Sequence, residues 1–136
     1  MTVFVLDSSA LIRYIDSEAG ADRVNVVLKA GVAGDATVCI SAVQWGEIAG
    51  NLRKRSGALQ QERILSSILP SEAQIVPVSG ARAVRAAEIK VDRKISYADA
   101  IALELAMSFK DHVFVTADFG FKGVADLAQI EFLPLK

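Results

Sequence analysis

Tyr97-Ala98-Asp99-Ala100-Ile101-Ala102-Leu103-Glu104-Leu105-Ala106-Met107, followed shortly by His112-Val113-Phe114-Val115-Thr116, is the stretch that decides the fold. The first run is apolar almost all round at helical spacing, the mark of a central, buried helix. The second is short and rich in β-branched and aromatic residues, the mark of a strand buried on both faces. Working outward, the same alternation repeats along the chain. Residues 3–6, 36–40, 74–78 and 130–133 read as further strands. Residues 8–16, 21–30, 42–56, 58–69 and 81–91 read as helices; the Tyr97 helix runs to about Phe109, and a short helix is expected near 124–128. Ser41 with Gln44 three positions on has capping-box form, Gly57 is a stop signal, and Pro70 ends the helix before it. The expected fold is α/β: one domain over residues 1–136, with a mostly parallel sheet of about five strands flanked by helices on both faces.

The composition agrees. Of 136 residues, 52% are hydrophobic and 23% charged, and a chain of this length buries about 68–70% of its unfolded surface, enough for one core. Lys+Arg 15 against Asp+Glu 16 leaves a formal charge of −1, with a pI of about 5.8. That balance excludes a disordered chain and excludes bulk positive charge as a means of holding nucleic acid. A polyanion would be met through a local patch or through bound metal. The single cysteine, Cys39, lies in an apolar run and reads as a small buried hydrophobe. One His and one Cys exclude a four-ligand zinc site. No apolar stretch approaches the ~20 residues of a membrane span, and the start Met1-Thr2-Val3-Phe4-Val5-Leu6-Asp7 lacks the form of a signal peptide. The expectation is a reducing cytoplasm and no membrane partner.

In open α/β sheets ligands bind beyond the carboxyl ends of the strands, and four acids gather attention there. Asp7 ends the first strand and Asp118 follows the fourth; either could equally cap a helix or form a turn. Asp99 rises among Ala102, Leu103 and Ala106, an apolar surface on which a charge needs a partner or a metal. Ser96-x-x-Asp99 is also a capping box, and a first-turn carboxylate can cap and still offer an oxygen. Glu47 projects away from the apolar stripe Trp45, Ile48, Ala49 and Leu52, so taken alone it reads as solvated. Converging acids raise one another's pKa unless a cation compensates. Mg²⁺ or Mn²⁺ takes oxygen ligands and suits phosphate chemistry, so these acids are candidates for metal-assisted hydrolysis.

The order Asp7-Ser8-Ser9-Ala10, Ser41…Trp45-Gly46-Glu47, Tyr97-Ala98-Asp99-Ala100 and Val115-Thr116-Ala117-Asp118 resembles the PIN-domain family, and most of all its compact VapC-type toxins. Each motif is short; all four in this order, with the acids 40, 52 and 19 positions apart, are specific. The resemblance covers essentially the whole chain. It implies a metal-dependent endoribonuclease in which Asp7, Glu47, Asp99 and Asp118 form the acidic quartet. Thr116 would be the hydroxyl beside the fourth acid, and Ser8 or Ser9 the polar support after the first. Asp7, Asp99 and Asp118 would hold one or two Mg²⁺ or Mn²⁺ ions, with Glu47 orienting or deprotonating the attacking water. It also implies an RNA substrate, a small antitoxin protein as partner, and a homodimer; RNA specificity does not carry over.

Arg53-Lys54-Arg55 closes the helix bearing Glu47, and Arg93-Lys94 precedes Asp99. Both sets read either as cations favoured at a helix C-terminus or as RNA-backbone contacts. Arg82 and Arg85 share a helical face and read as solvated. His112 reads as a strand-end residue, not a base, and Phe119 and Phe121 as packing residues. Two other classes compete. A non-catalytic RNA-binding PIN domain outside a toxin–antitoxin system would keep the quartet without cleaving. A signalling receiver domain would need clustered acids after the first strand and an Asp after the third, where this chain has Pro77-Val78-Ser79, so that class is excluded.

Overall fold

The computed structural model describes residues 1–68 and 73–135. Five strands form one all-parallel sheet: β1 (Val3–Leu6), β2 (Thr37–Ser41), β3 (Ala73–Val76), β4 (His112–Thr116) and β5 (Ile130–Phe132), in the order β3-β2-β1-β4-β5. The helices between them are α1 (Ser8–Ile15), α2 (Ala21–Ala33), α3 (Ala42–Ile68), α4 (Gly80–Arg93) and α5 (Tyr97–Met107).

The period of two along each strand sorts the core into two layers. Leu6, Val38, Ile40 and Val115 face Leu11, Val24, Leu28, Ile48 and Leu52 of α1, α2 and α3. Val5, Cys39 and Phe114 face Leu103, Ala106, Phe121 and Val124 on the other side, against α5. Each of the fully buried Leu, Ile and Phe side chains contributes about 1.5–3 kcal/mol of transfer free energy. The expected α/β architecture, helices on both faces, is what forms.

The order of the strands places the site. From β1 the chain steps outward to β2 and β3, then returns across the sheet to β4 and β5. The strand order therefore reverses between β1 and β4, and in open α/β sheets the ligand-binding position lies beyond the carboxyl ends of the strands at such a point. Leu6 pairs with Val115, and the Asp7 amide reaches the Val115 carbonyl at 3.3 Å.

Several boundaries differ from the sequence expectation. The expected helix at 124–128 forms one turn earlier, as a 3₁₀ helix over Phe119–Val124, because Asp118 caps it. The third strand stops at Val76, since Pro77 has no N–H to donate to the ladder. The helices 42–56 and 58–69 are one element, α3, bent at Gly57, whose φ of 81° is open to glycine and strained for other residues. The expected stop at Pro70 lies outside the described residues. Arg82 and Arg85 are not merely solvated: both bond to the buried Glu104 carboxylate, at 3.0 and 3.1 Å, and tie α4 to α5. Among the described residues no helix is long and apolar enough to cross a membrane.

Candidate active site

Asp7 follows β1 and caps α1, so it lies at the carboxyl end of that strand, only 4% exposed. Its Oδ1 accepts from the Ser9 hydroxyl (2.7 Å) and the Ala10 amide (2.9 Å), and its Oδ2 accepts from the buried Thr116 hydroxyl (2.6 Å). The same two hydroxyls organise the end of β4: Ser9 Oγ accepts from Ala117 N at 2.9 Å, and Thr116 Oγ1 from Asp118 N at 3.0 Å. With both hydroxyl hydrogens aimed at Asp7, the 3.2 Å approach of Ser9 to Thr116 is a contact between oxygens. Burial lifts the Asp7 pKa to about 6; the donated hydrogen bonds oppose this, and the charge of Asp118 adds to it.

The other three acids arrive on separate elements. Asp118 caps the 3₁₀ helix, its Oδ1 accepting from Gly120 N at 2.8 Å. A Cβ on Gly120 would stand 2.9 Å from that oxygen, so a side chain there would push the Asp118 carboxylate aside. Asp99 sits in the first turn of α5, whose cap Ser96 accepts from the Asp99 amide at 3.1 Å. Burial raises its carboxyl, a hydrogen bond with Ser96 opposes, and the Asp118 charge raises it further. Glu47 stands at the exposed rim on α3, with the Ser8 hydroxyl donating to Oε1 at 3.4 Å. Partial shielding raises its pKa, Ser8 lowers it, and the charge of Asp99 raises it. The repulsions run Asp7–Asp118–Asp99–Glu47 and link all four acids. Capping and convergence coexist at Asp7, Asp99 and Asp118.

Gln44 was missed by the sequence reading. Ser41 Oγ does accept from Val43 N (3.2 Å), but Gln44 does not close a capping box. Its side chain, 1% exposed, accepts from Ser8 N at 2.8 Å and donates to Ala98 O at 2.9 Å. The available signal was position: Gln44, Ile48 and Leu52 share one buried face, i, i+4 and i+8.

The donor set fits a hard divalent cation. All four groups are carboxylates, and their mutual repulsion is relieved by positive charge. Among the described residues no group of three or more His, Cys, Asp or Glu side chains is placed to hold a metal ion together. Mg²⁺ is ordinarily held by one or two carboxylates with several waters, which suits an open set and not a four-ligand cage.

Residues 4–127 match the family model of the PIN domain. The chain belongs to the PIN domain family. No curated protein matches the sequence significantly. Among solved structures, this PIN domain is similar to a VapBC2 complex from Rickettsia felis bound to a promoter DNA fragment, with a TM-score of 0.75, 17% identity, and coverage of 98% of this chain and 100% of the other. It is also similar to Mycobacterium tuberculosis VapC20, described as a sarcin-ricin loop cleaving toxin (TM-score 0.64, 19% identity, 97% and 99% covered). FitAcB from Neisseria gonorrhoeae gives a TM-score of 0.67 at 23% identity, with 96% and 97% covered. At these identities the likeness is one of fold.

The basic residues of this PIN domain divide into engaged and open. Arg55 makes a bidentate pair with Asp16 (2.7 and 2.9 Å), and Arg93 another with Asp126 (2.6 and 3.1 Å). Arg93 ends α4 and Lys94 is its cap, so neither lies in a free loop. Arg53 reaches Gln61 at 3.4 Å, while Lys54 and Lys94 are exposed. His112 begins β4, at the sheet edge opposite the acids, and its ring accepts from Gln129 N at 3.1 Å. Phe121 is buried against Phe114, and Phe119 stacks on Phe132, both as packing residues.

Proposed function

We propose that this PIN domain is a Mg²⁺- or Mn²⁺-dependent endoribonuclease, the toxin of a toxin–antitoxin pair acting in the cytoplasm. What supports the proposal is the chain of electrostatic repulsion from Asp7 through Asp118 and Asp99 to Glu47, four carboxylates carried by four elements. A bound divalent ion supplies charge neutralisation at the scissile phosphate and acidifies water.

The chain's own groups divide the remaining work. Three donors on Asp7 occupy three of its four lone-pair sites and leave one, on Oδ2. Ser9 and Thr116 therefore act as supports that aim Asp7 at the proposed site. Asp7, Asp99 and Asp118 would hold the ion, directly or through water. Glu47 has Oε2 free of Ser8 and stands at the rim, where it orients the attacking water and accepts its proton. In-line displacement then leaves a 5′-phosphate and a 3′-hydroxyl. Lys54, Arg53 and Lys94 are the exposed cations for the RNA backbone; Arg55 and Arg93 reach phosphate only by giving up Asp16 and Asp126.

The VapBC relatives support a small antitoxin as protein partner, and a second copy of the chain is proposed as the dimer mate. Mapping cleavage sites across total RNA after induced expression tests the assignment. Discrete cuts with wild type, absent with Asp7→Asn, are expected. The same cut pattern in both would refute the site, and binding of RNA by wild type without cuts would favour a non-catalytic module.

A further inference from the structure

We infer that Gln44 is the positioning residue that sets the separation of Asp7 and Asp99, through one buried amide spanning the Ser8 N–H and the Ala98 carbonyl. The inference rests on the acidic quartet being a metal site, and it concerns how this chain builds that site. Two hydrogen-bond systems hold the proposed site. Ser9 and Thr116 register Asp7 with Asp118, both at the ends of adjacent strands. Neither hydroxyl bonds to α5. Among the described residues, Gln44 is the side chain that bonds both to the residue after Asp7 and to the residue before Asp99. It stands one turn before Glu47 on the same helix, so a single residue of α3 is tied to the segments bearing two other acids.

The chemistry of the link is specific to an amide. The Ser8 N–H belongs to the first turn of α1, where no intrahelical acceptor exists, so it needs an outside oxygen. The Ala98 carbonyl, in the first turn of α5, has a second lone pair beyond its intrahelical bond and accepts the Gln44 amide on it. Only a side chain with an acceptor and a donor on one terminal carbon, at glutamine length, meets both at 2.8 and 2.9 Å. A buried side chain of this kind is restrained in rotamer and holds the two helix starts at a fixed spacing.

Direct Mn²⁺ binding to the purified full chain, read by loss of the free-ion electron paramagnetic resonance signal, tests the inference without reference to turnover. Gln44→Met keeps the length and loses both bonds. Gln44→Leu is close in volume and likewise loses both bonds. Both are expected to bind Mn²⁺ at least tenfold more weakly than wild type and to need at least tenfold more Mn²⁺ for half-maximal cleavage, with KM for RNA unchanged at saturating Mn²⁺. Thermal melts in chelator report folding separately. Wild-type binding with unchanged affinity in a folded variant overturns the role of Gln44 alone. No Mn²⁺ uptake by wild type overturns the metal-site reading, and the role of Gln44 with it. Failure of both variants to fold makes Gln44 a residue of stability and also overturns the inference.

Discussion

Burial raises the Asp7 carboxyl from its ordinary 3.8 to about 6 although Ser9, Ala10 and Thr116 all donate to it. Between those two values the folded chain holds the proton more tightly than the unfolded chain does. Stability from this group therefore falls as pH rises from about 4 to 6, and the penalty is complete above the folded pKa. At about 1.4 kcal/mol per pK unit the penalty is about 3 kcal/mol at neutral pH. An uncharged amide escapes it. In Asp7→Asn the new Nδ2–H donates to Thr116, whose hydroxyl turns toward Ser9, 3.2 Å away. With chelator present, Asp7→Asn is expected to melt several degrees above wild type at pH 7.5, with the gain vanishing near pH 4. Differential scanning calorimetry across that range checks it; a variant less stable than wild type at pH 7.5 would show that Asp7 does not carry this penalty. The same variant is expected to lose nearly all cleavage, since stability is given up at functional sites.

At the scale of elements, what was legible followed from patterns that are local. The two core layers were readable because buried strands and helices have distinct periods; Asp7 and Asp118 stood out because strand ends are marked in the sequence, Asp99 because it rises from an apolar helix, and Glu47 through the family resemblance alone. Gln44 and Glu104 were not readable in the same way. Each is a polar residue on a buried face, which the local pattern can mark, but its partner lies on another element, so no local pattern names that partner. The 3₁₀ helix was misplaced because the apolar run after Asp118 was weighted over the cap that starts it. Glu104 yields a prediction at this scale. Its carboxylate is buried and accepts from both Arg82 and Arg85, whose side chains are 23% and 53% exposed. Removing one partner of a fully buried pair costs about 3–5 kcal/mol, and partial exposure of the arginines reduces this. Glu104→Ala is expected to destabilise by about 2–3 kcal/mol in urea unfolding, while Mn²⁺ affinity stays within twofold of wild type. A large loss of metal affinity in the folded variant would show that the α4–α5 clamp also shapes the site.

For the whole molecule, the charge of −1 conceals an uneven distribution. Four of the sixteen acids are assigned to the proposed site, and the remaining twelve are outnumbered by fifteen cations. Several of those cations are already committed: Arg23 to Glu131, Arg55 to Asp16, Arg93 to Asp126, and Arg82 and Arg85 to Glu104. On the proposed function, the chain brings no broad basic field to RNA, and the site would become attractive to phosphate only when a divalent ion offsets its carboxylates. Membership of the PIN family and the β3-β2-β1-β4-β5 sheet explain where the proposed site lies. The most direct test is cleavage of an end-labelled RNA pool by the purified chain with Mn²⁺, with chelator, and with Asp7→Asn, Glu47→Gln, Asp99→Asn and Asp118→Asn each in turn. The account predicts cuts bearing 5′-phosphates with Mn²⁺, none with chelator, and a loss of about a hundredfold or more in each variant, the range of a catalytic group acting in the transition state. Undiminished cleavage in chelator, or in any folded variant of Asp7 or Asp99, would contradict it.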